Sequence, residues 1–132
     1  TKNTERLFDL AFLFNDLHDK KFSICTTFET NRDYPEIMNK SPKPLDRIKW
    51  LHSQCFTDID KYITIEPILD FDLDEMLRAI KTANPKQVNI GADSGNNKLP
   101  EPSKEKVLQL IEGLKEFTAL SPKTNLKRIL HN

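Results

Sequence analysis

The sequence predicts an α/β fold, a partial (β/α) barrel with a parallel sheet of at least three strands and flanking helices. Helical and strand segments alternate along the chain, and such strands are joined by right-handed crossovers and pair in parallel. Each strand also has one apolar face and one polar face. A strand covered by helices on both sides is apolar throughout, so we expect the polar faces to line a lumen or an open cavity. The 132 residues are expected to form a single domain, 1–132, the C-terminal portion of a larger β/α barrel.

Four segments have the helical period, in which apolar residues recur at i, i+3, i+4 and i+7. Pro44 suits the first turn of the second segment, and Ser103 suits the N-cap of the fourth. In the second segment, Leu45, Ile48 and Leu51 are predicted to face the core. The predicted helices are Thr4 to Asp19, Pro44 to Cys55, Asp72 to Ala83, and Ser103 to Phe117.

Three runs between these helices have strand character. Alternate side chains of a strand leave opposite faces of the sheet, so each run has an apolar set and a polar set of residues. The polar set of each run ends in a carboxylate: Glu29, Glu66 and Asp93 respectively. The predicted strands are Phe22 to Phe28, Tyr62 to Ile65, and Val88 to Ala92.

The two remaining segments are less regular. The loop from Thr30 to Pro44 contains three prolines, which argue against a strand, and its length suits a lid or binding segment. After Leu120, Ser121 and Pro122 predict a turn. A short helix or strand is expected at 125–130.

The three carboxylates are expected to converge. Active sites of parallel α/β folds form at the carboxyl ends of the strands, where Glu29, Glu66 and Asp93 fall. Adjacent strand ends lie about 5 Å apart, so these acids would have raised pKa values or require a cation or a ligand donor group. Three basic residues in the corresponding segments are candidates to compensate them: Lys2, Arg32 and Lys98.

Composition narrows the function classes. Twenty basic and twenty acidic residues cancel, so the charge expected of a nucleic-acid or anionic-membrane binder is missing. No apolar stretch approaches the ~20 residues of a membrane span. Cys25 and Cys55 have neither metal-ligand nor disulfide-scaffold spacing, which favours a reducing cytoplasm. No histidine is placed to activate Cys25 as a nucleophile.

Four short segments together resemble a known family. They are Thr1-Lys2-Asn3, Thr26-Thr27-Phe28-Glu29-Thr30-Asn31-Arg32, Thr64-Ile65-Glu66-Pro67 and Asn89-Ile90-Gly91-Ala92-Asp93-Ser94. In order and spacing they resemble the C-terminal half of phage-associated radical S-adenosylmethionine-like proteins. The resemblance implies a β/α barrel whose polar strand ends hold S-adenosylmethionine, with an iron-sulfur cluster on a C-x-x-x-C-x-x-C loop.

The resemblance also sets expectations for this chain. No three-cysteine loop is present, so S-adenosylmethionine and the cluster are expected only for the complete protein, whose N-terminal barrel half is the expected partner. Thr1-Lys2-Asn3 would then be the end of a strand. Arg32 would offer a fixed positive charge to a carboxylate or phosphate. The residues implied to line the cofactor or substrate cavity are Glu29, Asn31, Arg32, Glu66 and Asp93.

Two other functions fit the same residues. Glu29, Glu66 and Asp93 are oxygen ligands of the type that magnesium or manganese prefers, so a metal-dependent hydrolase or lyase is one alternative. The other is a binding or assembly module, in which two copies associate through the open sheet edges of an incomplete barrel.

Overall fold

The computed structural model describes residues 1–10, 22–52, 58–95 and 97–131. Element numbers refer to these residues. The helices are α1 (Thr4–Asp9), α2 (Pro35–Met38), α3 (Pro44–Leu51), α4 (Leu73–Ala83), α5 (Lys104–Lys115) and α6 (Lys127–Leu130), with a 3₁₀ helix at Thr124–Leu126. The strands are β1 (Ser23–Thr27), β2 (Asp60–Ile65), β3 (Gln87–Ile90) and β4 (Ala119–Pro122).

The four strands form one parallel sheet in the order β1-β2-β3-β4. The register places Thr27 beside Thr64, Thr64 beside Asn89, and Asn89 beside Ser121. The predicted α/β fold, with a parallel sheet of at least three strands and flanking helices, is confirmed. Strand order follows chain order, and right-handed crossovers between such strands place the connecting helices α3, α4 and α5 on one face of the sheet.

The core lies between the sheet and the helices α3, α4 and α5. Most strand residues predicted as apolar are buried there, and so are Met76 and Ile80 of α4 and the periodic positions of α5, whereas Leu73 and Leu77 of α4 are partly buried. Ser103 caps α5, since its hydroxyl accepts a hydrogen bond from the backbone nitrogen of Lys106 at 3.3 Å. No helix in the described part of the chain has the length and apolar character to cross a bilayer. The central members of the core are Ile63, Ile65, Ile80, Val88, Ile90, Leu110 and Leu114.

The predicted core face of α3 is confirmed at Ile48 and Leu51 but wrong at Leu45. Leu45 was expected to face the core but is 38% exposed, whereas Arg47 is completely buried. The buried stripe of this helix is Pro44, Arg47, Ile48 and Leu51, which keeps the i, i+3, i+4, i+7 spacing. An arginine takes a core position here because it pairs with a buried carboxylate, described below.

The irregular segments also differ from prediction. Ser121 and Pro122 belong to β4 rather than to a turn. The loop before α3 contains no strand, as expected, but it does contain the short helix α2. The tail forms a 3₁₀ turn followed by α6. Of the two alternatives predicted for this segment, a short helix or a strand, the helix is the one observed. The predicted extension of the first helix beyond residue 10, and that of the second over 53–55, lie outside the described residues.

Candidate functional site

Glu29, Glu66 and Asp93 lie at the same edge of the sheet. Glu29 follows the last residue of β1 by two positions, Glu66 follows β2 directly, and Asp93 follows β3 by three positions. Because the strands are parallel, all three positions are at the carboxyl edge, where α/β proteins bind their ligands.

Glu29 is a buried carboxylate with two cationic partners. The residue is 3% exposed. Its Oε2 accepts a hydrogen bond from Nη1 of Arg47 at 2.8 Å, and its Oε1 lies 2.7 Å from Nζ of Lys2. Burial pushes the pKa of Glu29 upward, but the hydrogen bond from Lys2 and the charge of Arg47 outweigh it, so the pKa lies below its ordinary value. Lys2 therefore compensates Glu29 as predicted, and Arg47 is an additional partner.

Arg47 joins the long loop to the end of β1. Its Nε donates to the carbonyl of Pro42 at 2.8 Å, and its Nη1 donates to the carbonyl of Thr27 at 2.8 Å. The acceptor nearest Nη2 is the sulfur of Met38, at 3.9 Å. A fully buried guanidinium needs such acceptors because burying a charge without them is costly. Arg47 thus fixes the orientation of the Glu29 carboxylate.

Glu66 is held by residues that follow β4. Nζ of Lys123 donates to its Oε2, and Nδ2 of Asn125 donates to its Oε1 at 2.8 Å. Nδ2 of Asn125 also lies 2.8 Å from Oγ of Ser94, on the loop after β3. Partial burial raises the pKa of Glu66, but the hydrogen bonds that Lys123 and Asn125 donate lower it by more, so the pKa lies below its ordinary value. Neither partner was predicted, because both lie in the tail whose structure the sequence left open.

The lack of a side chain at Gly91 makes room for this arrangement. A Cβ atom at Gly91 would lie 2.8 Å from Oδ1 of Asn125 and 2.8 Å from Oε1 of Glu66. Such distances are well inside van der Waals contact. Glycine at this position therefore allows Glu66 and Asn125 to meet across the end of β3.

Asp93 is held by the loop that follows it. Its Oδ1 accepts from the backbone nitrogen of Gly95 at 3.0 Å and from Nδ2 of Asn97 at 2.7 Å. Its Oδ2 accepts from the backbone nitrogen of Asn97 at 2.6 Å. The backbone donors of Asn97 and Gly95 hold the pKa of Asp93 below its usual value. Asp93 is thus stabilised as an anion by the dipoles of its own loop.

Arg32 and Asn31 bind the N-terminal end of α4. Arg32 forms a fork with Asp72, through Nε at 2.9 Å and Nη2 at 2.6 Å, and its Nη1 pairs with Asp70. The hydrogen bonds that Arg32 donates to the Asp72 carboxylate raise the pKa of Arg32. Nδ2 of Asn31 donates to Glu75 at 2.7 Å. The prediction that Arg32 compensates one of the three strand-end acids is therefore wrong, because Asp70 and Asp72 neutralise it.

The strand-end acids line two pockets rather than one hollow. Glu29 lies in a pocket of about 310 Å³ between the β1 end and α2. Asp93 lies in a pocket of about 430 Å³, together with Lys98, Asn125 and Arg128. Glu66 reaches the second pocket through its hydrogen bond with Asn125. Lys98 lines the same pocket as Asp93, but the hydrogen bonds to Asp93 come from the loop that follows it, so compensation of Asp93 by Lys98 stays a prediction.

The chemistry available at this edge is acceptance of hydrogen bonds and cations. All three acids have lowered pKa values, so they are ionised at neutral pH and do not suit the role of general acid. Within the described residues, no group of three or more histidine, cysteine, aspartate or glutamate side chains is arranged to hold a metal ion.

The face of the sheet opposite the helices is polar. Sγ of Cys25 lies 3.5 Å from Oγ1 of Thr64, and Nδ2 of Asn89 lies 3.5 Å from the same hydroxyl. Nε2 of Gln87 donates to Oδ1 of Asn89 at 2.7 Å. Cys25 is exposed, and the other three residues are half-buried. This polar sheet face leads directly to the carboxyl edge.

The chain was also compared with known proteins. Neither the family models, nor the curated proteins, nor the solved structures gave a match.

Proposed function

We propose that this chain is part of a radical S-adenosylmethionine-like (β/α) barrel, in which its polar strand ends form one wall of a cofactor or substrate cavity. On this proposal the chain is not catalytic alone. The observation that carries it is the sheet itself, which is covered by helices on one face and polar on the other. Four parallel strands in consecutive order, with their helices on one side, match a segment of a β/α barrel, because a doubly wound fold reverses its strand order.

The outer edge of β1 supports an N-terminal barrel half as the partner. The backbone nitrogen of Thr1 donates to the carbonyl of Cys25 at 2.6 Å, and Oγ1 of Thr26 donates to the carbonyl of Thr1 at 2.7 Å. Thr1 thus lies beside β1, at the edge where the next strand of a barrel would pair. In the proposed assembly that strand and the ones before it complete the cavity.

The residues of this chain fit the two suspected cofactors differently. S-adenosylmethionine carries an ammonium group, a sulfonium centre and hydroxyl groups, and the ionised acceptors Glu29, Glu66 and Asp93 can bind groups of that kind. The iron-sulfur cluster does not fit, because it requires three thiolates and this chain has two cysteines. The N-terminal half would have to supply the cluster ligands.

Amide chemical shifts during a titration with S-adenosylmethionine test the proposal, since they report weak binding to part of a cavity. We expect shifts that grow with concentration at Glu66, Gly91 and Asp93, and smaller ones in Glu66→Gln. Glu112→Gln is the matched control, because it removes the same charge from an exposed ion pair with Lys115 on α5. Shifts confined to the helices, or no shifts at millimolar ligand, would count against the proposal.

A further inference from the structure

The pocket beside Glu29 combines an apolar wall with one fixed carboxylate oxygen. Oε2 of Glu29 is held by Arg47, whose side chain is completely buried, while Oε1 contacts Lys2, a lining residue of the pocket. The Glu29 side chain is 4% exposed. The apolar wall of this 310 Å³ pocket is formed by Ile37, Met38, Pro67 and Leu69.

The two partners of Glu29 differ in how firmly they are held. Arg47 has further acceptors at Pro42 and Thr27, and it is fixed by the surrounding core. The Lys2 side chain is 46% exposed on a flexible stem. Releasing an exposed lysine to water costs little free energy, whereas leaving a buried carboxylate oxygen without a donor is costly. Another cation can therefore replace the Lys2 ammonium at Oε1 of Glu29, whereas leaving this oxygen without a donor costs free energy.

We infer that this pocket binds a small organic cation, an ammonium group on a short apolar chain, which replaces Lys2 on Oε1 of Glu29. The ammonium supplies the charge and donors that the buried carboxylate requires, and the apolar chain contacts Ile37 and Leu69. The inference rests on the proposed function, since it assigns a ligand class to one part of the same strand-end cavity.

Propylammonium is the probe, and Lys2→Met is the variant that opens the pocket while keeping an apolar stem. A propylammonium concentration of about ten times its Kd should raise the Tm of Lys2→Met by about 3–5 °C, compared with potassium chloride at the same ionic strength. The wild-type protein should require a higher concentration, because Lys2 competes. Lys86→Met is the matched control, since it opens the exposed pair of Lys86 with Asp60 at the opposite edge of the sheet.

Amide shifts of Lys2→Met locate the bound amine without a variant of Glu29, whose removal would leave the buried Arg47 without its carboxylate partner. Shifts at Glu29, Ile37 and Leu69 are expected. No amine-dependent rise in Tm, an equal rise in Lys86→Met, or a larger rise with propionate would overturn the inference. These results are independent of S-adenosylmethionine: amine binding with no response to S-adenosylmethionine would contradict the proposed function alone, and the reverse would contradict only the amine site.

Discussion

Removing Arg47 tests whether the buried ion pair organises this edge of the sheet. In Arg47→Met, Glu29 keeps its contact with Lys2 but loses the guanidinium, and the carbonyls of Pro42 and Thr27 lose a donor. Breaking a buried pair by removing one partner costs about 3–5 kcal/mol, because the other charge stays buried. Each lost hydrogen bond costs about 1 kcal/mol more, and the remaining partner Lys2 offsets part of the total.

We therefore expect Arg47→Met to lose about 4 kcal/mol of unfolding free energy. Domains of this kind have about 5–15 kcal/mol in total, so the variant should fold but be strongly destabilised. With an m-value of about 2 kcal/mol/M, the urea midpoint should fall by about 2 M, measured by circular dichroism. Lys86→Met, which breaks an exposed pair, is the control and should change the midpoint little.

The pH dependence of the unfolding free energy provides a second test of the role of Arg47. In the wild-type protein the pKa of Glu29 is lowered, so its contribution is present above the unfolded pKa and is lost as the pH falls through the folded pKa. Without Arg47, the pKa of Glu29 should be higher than in the wild-type protein, because the charge of Arg47 no longer lowers it. Protonation of Glu29 removes the buried charge that the variant leaves without Arg47. The difference in unfolding free energy between the two proteins should therefore narrow on acidification. A loss no larger than that of Lys86→Met, or a gap that widens in acid, would refute the reasoning.

Three further outcomes follow from the same structure. Gly91→Ala should cost about 1–3 kcal/mol in urea unfolding, because the new methyl group overlaps Glu66 and Asn125; an unchanged midpoint would show that these side chains move aside freely. Ser103→Ala should cost about 1 kcal/mol through loss of the α5 cap, and Ser103→Gly only a few tenths; equal losses would argue against the cap. Partial burial raises the pKa of Asp70, but its two cationic partners lower it by more, so the stability that Asp70 contributes should be lost as the pH falls through the folded pKa. Asp70→Asn should therefore make the unfolding free energy less dependent on pH below about pH 4, and an unaltered pH profile would contradict this.

The elements that the sequence predicted correctly are those in which apolar residues occupy every position of the helical or strand repeat. In α5, Val107, Leu110, Ile111 and Leu114 form an unbroken stripe, and all four are buried. β4 was missed because Leu120 is the one large apolar residue among its four, and the last of the four is proline. That proline is tolerated because it is the last residue of β4, which lies at the end of the described sheet and pairs with β3 on one side.

The candidate site was predictable in position but not in its partners. The alternation along each strand placed Glu29, Glu66 and Asp93 at one edge. It could not show that Glu29 is buried, since the alternation ends with β1 and the loop then covers this residue. A signal for Arg47 was present, because it completes the stripe with Pro44, Ile48 and Leu51. Arginine is rarely buried without a partner, so an arginine in a core stripe indicates a buried acid nearby. The partners of Glu66 had no comparable signal, because a tertiary contact between the tail and β2 brings them together.

The separate stabilisation of the three acids also bears on how the edge binds a ligand. Neighbouring carboxylates on parallel strands must share a cation or be compensated one by one, and this chain uses the second solution: Arg47 and Lys2 for Glu29, Lys123 for Glu66, and the 95–97 loop for Asp93. Each acid is therefore ionised and oriented before any ligand arrives, which reduces the free-energy cost of binding. Because the acids do not depend on one another's charge, neutralising Glu66 should leave the Glu29 pocket competent, and amine binding measured in Glu66→Gln with Lys2→Met should equal that in Lys2→Met.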